Sequence, residues 1–518
     1  MQRFRLMDRG EAYYRQKRDH NTTLLMYALL SGVLISCVVL FPLGQDELYV
    51  TNYAVDALGG MIIVSLCVYY SMRYGFDIFD PIYLVTIIYG FLYFFTPMYD
   101  IISGHHTWFA YNLFPYGVKA TWVALGGYFG FFLCYTSRVR FRYEKKFRFI
   151  LYDKERRFTE RDQITENTRI LVILGMYAIC FAANLFYLLH SGYTSLLYIM
   201  TLGLLGSGSH AEEQIASIGF VAMLSYCLPA IVLLYWKYSK SVLKTTILFV
   251  PMLIMQITRG FRFFIVQIAI TFAAYIYMSR GRRPRVVSII QMLLLLMVPV
   301  IIMTMFRNDI RGGHGLNLGQ ISFAALGEAF EDAVWDNFRI YNNYYGVVGK
   351  VPGEYGYVYG RQIIIGTLIM MIPRAIWPNK LPSAAGAELY QVIGQNMYKT
   401  GQALPGLGEF YFSCGPIGVV LLMSLYGFFL RYVWRRLVKN TRGELDLIAF
   451  SILLGANLQV LIRGYTPSNF WYVVFSLIPV YVVKIVNTYL YDSKEAEERK
   501  LTAEWAVWER KLIKEREG

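Results

Sequence analysis

The sequence predicts an all-α integral membrane protein with about 12 transmembrane helices and one large outer loop containing re-entrant or amphipathic helices. Three observations predict it. Of 518 residues, 56% are hydrophobic and 17% aromatic, a composition unsuited to disorder or to a single soluble domain. Many apolar runs approach the ~20 residues a helix needs to cross a bilayer. Basic residues are concentrated in alternate connections, the asymmetry that orients membrane helices.

Taken in order, residues 1–21 form a basic, polar tail without the features of a cleavable signal peptide. Nine spans are expected within 22–306, at 22–43, 54–72, 81–98, 117–136, 170–190, 217–236, 245–258, 263–279 and 286–306. An outer loop, 307–413, precedes three spans within 414–488, at 415–430, 445–462 and 470–488. Residues 489–518 close the chain as an amphipathic tail in which Leu501, Trp505, Trp508 and Leu512 share one helical stripe. With the N-terminus in the cytoplasm, about three quarters of the 50 Lys and Arg face the cytoplasm and both termini lie there. The net charge of +15 is then a matter of topology and membrane lipids, with no need for nucleic acid. The basic loop 138–169, with Phe141, Phe147 and Ile150 interleaved, suits anionic headgroups.

The six cysteines lie in or beside apolar runs without CxxC spacing, which reads as packing and not as a disulfide framework or metal site. Asp77 and Asp80 in "GFDIFDP" resemble an acidic metal motif, but Asp80 before Pro81 is more simply a helix N-cap. Walker A, HExxH, GxSxG and strand-led GxGxxG patterns are missing, so no metal or cofactor is indicated.

Chemistry is expected on the outer side. In "ITRGFRFF" a short span delivers Arg259 and Arg262 below the surface, as an anion clamp or as structural salt bridges. The loop is too long for a bare connector. It carries an apolar stripe (Phe330, Val334, Phe338, Tyr341, Tyr345) and then "GRQIIIGTLIMMI", too short to span. Pro373 ends that run and places Arg374 and Lys380 near the membrane surface, where a fixed cation suits a lipid-linked phosphate or caps a helix end.

"IPRAIWPNKLP" (372–382) followed by "GLGEFYFSCGPIGV" (406–419) resembles the Wzy-type oligosaccharide repeat unit polymerases, the O-antigen polymerase family. The resemblance covers roughly residues 355–420, with Leu381 inserted where the pattern usually runs Lys-Pro. It implies a GT-C-like glycosyltransferase of the bacterial inner membrane that needs no metal or cofactor. Such an enzyme moves a growing glycan from undecaprenyl pyrophosphate to another lipid-linked repeat unit. A chain-length regulator protein is a further partner the family suggests.

A diphosphate leaving group gains negative charge, so Arg259, Arg262, Arg361, Arg374, Lys380 and Arg463 are the candidate pyrophosphate ligands. Glu409 is the first candidate base, with Asp309 and His314 as alternatives. Trp377, Tyr411 and Tyr357 are candidate glycan platforms, as are Trp335, Tyr355 and Tyr359, although aromatic residues also favour membrane interfaces. Two other readings stay open. Asp46 and Glu47 in "GQDELYV" would suit a GT-C enzyme adding single sugars, an O-antigen ligase being the related alternative, and a flippase for lipid-linked glycans would need no outer chemistry.

Overall fold

A computed structural model describes residues 20–42, 44–108, 111–137, 163–190, 223–257, 262–280, 323–335, 338–372, 376–377, 404–439, 443–464 and 466–490, with isolated positions at 221, 291 and 301. Helices, numbered along the chain, are α1 His20–Val39, α2 Glu47–Tyr74, α3 Pro81–Ile102, α4 Phe114–Thr136 and α5 Gln163–His190. They continue with α6 Leu228–Ser239, α7 Val242–Ile257, α8 Arg262–Ser279, α9 Phe323–Trp335, α10 Tyr341–Lys350 and α11 Arg361–Met370. The last three are α12 Gly406–Val433, extended by a π-helical turn to Lys439, α13 Glu444–Ile462 and α14 Thr466–Leu490. Among the described residues there is no strand, and 7 helices are long and apolar enough to cross a membrane: α2, α3, α4, α5, extended α12, α13 and α14. Helices α1, α6, α7 and α8 fall on further expected spans, while 286–306 lies outside the described residues apart from two isolated positions.

Local chemistry sets the boundaries. Asp80 caps α3, its Oδ1 accepting Ile82 N, with Pro81 in the first turn where a missing N–H costs nothing. The hydroxyls of Tyr70 and Tyr135 also donate to this carboxylate. Burial pushes Asp80 up to about 6, and these two hydroxyls partly offset the shift. The N-cap reading of Asp80 therefore holds.

Two cores share the bundle. The first joins α2, α3, α4, α10 and the early part of α12, and is rich in tyrosine; the second joins α6, α8, α13 and the end of α12, and is mainly aliphatic. Helices α4 and α12 make the most extensive contact. Glycine permits it: a Cβ on Gly130 would meet Ser424 Oγ at 2.5 Å and Val420 O at 2.9 Å, and one on Gly427 would collide with Phe131 O.

One end of the bundle holds the starts of α2, α4, α12 and α14 and the ends of α3 and α13; we term it the loop end. Here α10 differs from expectation. The predicted stripe from Phe330 to Tyr345 splits into α9 and α10; Phe330 is exposed, and every residue from Tyr341 to Val348 is buried. Several polar groups here find distant partners, while Asn342 Nδ2 donates locally to Arg339 O at 3.1 Å. Arg339 Nε and Tyr341 Oη donate to the Asp100 carboxylate, both at 3.0 Å, Tyr344 Oη donates to Ala120 O at 2.9 Å, and Trp108 Nε1 donates to Asn343 Oδ1 at 2.9 Å. Part of the expected outer loop is thus built into the core.

Candidate functional site

Helix α12 begins at Gly406, eight residues inside what the sequence assigns to the loop. Its first turn lies against the end of α13. Gly464 N donates to Leu404 O at 2.8 Å, and a Cβ on Gly406 would come within 2.5 Å of Val460 O. The backbones touch because both segments carry glycine there.

Glu409, one turn along, is buried. Its Oε2 accepts Thr466 Oγ1 at 2.7 Å and Thr466 N at 3.0 Å, and Oε1 shares that N–H at 3.2 Å. Thr466 opens α14, so the carboxylate satisfies an otherwise unpaired amide at the positive end of a helix dipole. Neither oxygen pairs with arginine in these contacts. Arg463 lies between the two helices: its N–H bonds Gln459 O at 2.8 Å, and its carbonyl accepts Asn469 Nδ2 at 2.9 Å.

Helix α8 runs antiparallel to α13. Gln267 Nε2 donates to Gln459 Oε1 at 3.0 Å, and a Cβ on Gly455 would meet Gln267 O at 2.7 Å. Arg262 is the first residue of α8, five residues before Gln267.

The segment 357–361 docks onto a break in α12. Cys414 and Gly415 leave the helical conformation, Gly415 at φ +65°. Pro416 has no N–H to offer Phe412 O four residues back. Val358 N takes that place at 3.1 Å, and Tyr359 N bonds Ser413 O at 2.8 Å. A Cβ on Gly415 would stand 2.7 Å from Tyr357 Oη, so glycine is needed for contact as well as for dihedral angle. Tyr359 (φ +48°) and Gly360 (φ +72°) then turn the chain into α11, with Arg361 at its start. A tyrosine at positive φ is a strained position of the kind that collects at functional sites.

Helix α11 lies across the start of α14. Trp471 Nε1 donates to Thr367 O at 2.8 Å, and a Cβ on Gly366 would meet Pro467 at 3.3 Å. Ile364, Ile365 and Leu368 remain exposed, and no α11 residue is buried. With only ten residues it does not span, in keeping with an interfacial segment.

Three well-separated stretches thus interlock at the loop end: 357–371, 404–415 and 459–471. They carry Arg361, Arg463, Glu409, Tyr411 and Tyr357, with Glu409 bonded to Thr466 and the Tyr357 ring beside that of Tyr411. Tyr411 is buried, its ring 6.5 Å from that of Tyr357. Trp377 is exposed, and no contact ties it to this group among the described residues. Arg259, Arg374, Lys380, Asp309 and His314 lie outside the described residues. Asp46 and Glu47 are exposed at the start of α2. Among the described residues no cluster of three or more His, Cys, Asp or Glu stands ready for a metal ion.

Sequence reasoning missed Thr466 as the partner of Glu409, Lys119 beside Tyr411, and the docking of Val358 on Phe412. Only the last had a signal: a proline at 416 in a helical pattern leaves the carbonyl of residue 412 in need of a donor. Chemically, cationic side chains set around a rigid, glycine-packed junction can hold an anion while nearby aromatic rings meet a sugar.

A family model described as O-antigen polysaccharide polymerase Wzy matches residues 23–492. No curated protein and no solved structure matches the chain.

Proposed function

The chain belongs to the O-antigen polysaccharide polymerase Wzy family, and from that membership we propose that it lengthens glycans carried on undecaprenyl pyrophosphate at the outer face of the bacterial inner membrane. One observation supports the reading: the segments that carry Arg361 and Arg463 both pack on the start of α12, through Val358 N to Phe412 O and Gly464 N to Leu404 O. In the reaction an acceptor hydroxyl oxygen bonds to the anomeric carbon of the donor glycan. The bond from that carbon to the diphosphate oxygen breaks, and undecaprenyl pyrophosphate leaves with the electron pair. Its growing charge is met by Arg463, Arg361 and Arg262, with Arg259, Arg374 and Lys380 as further donors. The hydroxyl proton goes to a base. Glu409 has both oxygens bound to Thr466 and serves better to fix α14 against α12, leaving Asp309 and His314 as the candidates for proton removal.

The Lys and Arg asymmetry supports cytoplasmic termini and an outer loop end. The expected spans support a bundle of about 12 helices, and the family resemblance implies that it is GT-C-like. Phosphate neutralisation by guanidinium groups makes a divalent metal unnecessary, and Tyr357 with the exposed Trp377 are the glycan contacts, since Tyr411 is buried.

The test is polymerisation by the purified protein in lipid with a lipid-linked repeat unit. A ladder of longer glycans that persists in chelator, and is lost in Arg463→Ala and Arg361→Ala, supports the reading. Lysine at either position restores little if contacts are bidentate. Single-sugar transfer that needs Asp46 and stops with chelator would instead establish a metal-dependent transferase, and movement of lipid-linked glycan without lengthening would establish a flippase.

A further inference from the structure

A polymerase that draws on two lipid-linked molecules must hold two diphosphates, and the arginines proposed above answer to the departing one. Glu409 and Tyr411 are two residues apart on α12, and at about 100° per residue their side chains leave opposite faces of the helix. The Glu409 face meets Thr466, at the start of α14. The Tyr411 face meets Lys119 of α4, whose Nζ stands 5.8 Å from the Tyr411 ring centroid. Lys119 is an exposed residue, yet its ammonium is held in place: Nζ donates to Val348 O, in the last turn of α10, at 3.3 Å. Tyr411 Oη in turn donates to Val351 O at 3.4 Å, and Tyr357 closes the group over Gly415.

We propose that Lys119, positioned by the buried Tyr411, and Tyr357 form a second subsite, which binds the diphosphate and first sugars of the acceptor lipid-linked repeat unit. The proposal rests on the polymerase reading. The two faces differ in the way the two substrates differ. The donor diphosphate departs and gains charge, which calls for several guanidinium groups. The acceptor diphosphate keeps its bond and its charge throughout, so one lysine holds it, and the half-buried Tyr357 ring offers a flat edge to a sugar while the buried Tyr411 fixes the lysine from beneath. A lysine resting over an aromatic face retains two or more N–H donors for a phosphate oxygen.

The experiment measures initial rates of glycan lengthening by the purified full-length protein in lipid. A preformed long-chain donor is held fixed while the lipid-linked repeat unit is varied as acceptor. Lys119→Gln should raise the acceptor KM about tenfold, the scale of one charge-assisted contact, with kcat changed far less. Lys119→Arg should recover most of the wild-type KM, because any cation at that point serves an intact diphosphate. Arg463→Lys should lower kcat and leave the acceptor KM near wild type. An unmoved acceptor KM in Lys119→Gln overturns the subsite. So does a fall in kcat and thermal stability together without a KM change, which would make Lys119 a mere cap for α10. Absence of lengthening by the wild-type protein would overturn the polymerase reading and the subsite with it, a result distinct from either of these.

Discussion

The two cores of the bundle solve the same problem with different side chains. Around α6, α8 and α13 the interior is mainly aliphatic: Ile231, Leu233, Leu234, Ile448 and Leu454 are all buried, as lipid-facing helices of ordinary composition would bury them. Around α2, α3, α4 and α10 the interior holds Tyr53, Tyr89, Tyr93, Tyr128, Tyr341, Tyr344 and Tyr345. A tyrosine core needs a partner for each hydroxyl, and supplying those partners fixes geometry more closely than aliphatic packing does. The tyrosine-rich half is the one into which a loop helix inserts, and it supports the α12 junction from beneath. The difference teaches that this half spends polar contacts on holding loop segments in place, whereas the other half holds spans to one another.

Each half has a buried ion pair, and breaking the pairs is the strongest way to test the contrast. Asp100–Arg339 joins α3 to the turn before α10 at 3.0 Å, and Asp446–Lys484 joins α13 to α14 at 2.7 Å. Arg339→Ala and Lys484→Ala should each cost about 3–5 kcal/mol, because each leaves a buried carboxylate without its cation. Thermal unfolding of the purified variants measures the loss. Hydrogen exchange should separate them: Arg339→Ala exposes 338–350, and Lys484→Ala leaves that segment protected. Equal protection in both would remove the distinction between the halves.

Next in size is the α4–α12 contact. Gly427→Val should cost about 1–3 kcal/mol through overpacking against Phe131, while Gly175→Val on α5, where a Cβ meets nothing within 4 Å, should leave the melting temperature nearly unchanged. Smaller again, Tyr344→Phe should cost about 1 kcal/mol by deserting the Ala120 carbonyl. Tyr235→Phe in the aliphatic core, whose hydroxyl makes no hydrogen bond among the described residues, should be silent in the same melt. The smallest effect concerns pH. Asp80 is raised in the folded protein, so its contribution is complete below the ordinary aspartate range and is lost as pH rises through about 6. Melting temperatures across that range should show a slope that Asp80→Asn flattens.

Much of the fold was legible because lipid imposes length and hydropathy on each span. Helices α2, α3, α4, α13 and α14 begin and end within several residues of the expected limits. The Asp80 cap was legible because it is local. Helix α10 was not: "YNNYYGVVGK" has no apolar face of its own, and its burial depends on Asp100, Trp108 and Ala120, more than two hundred residues away in sequence. The start of α12 was missed because its break at Cys414 and Gly415 reads as a helix boundary, hiding two helical turns before it. The candidate site was legible by residue type and blind to pairing. Arginine and glutamate near outer ends are visible in a sequence. That Glu409 meets Thr466, 57 residues on, and that Gln267 sets the register with Gln459, 192 residues on, depends on tertiary packing alone.

The central claim is that the interlocked loop-end stretches hold a diphosphate through arginines from separate segments. Native mass spectrometry of the purified protein with undecaprenyl pyrophosphate tests it most directly, because it reads binding without requiring turnover. The geometry predicts retention of the lipid by the wild type and its loss in both Arg463→Ala and Arg361→Ala, with Lys240→Ala at the opposite end of the bundle as a control that retains it. Full retention in both loop-end variants would contradict the claim.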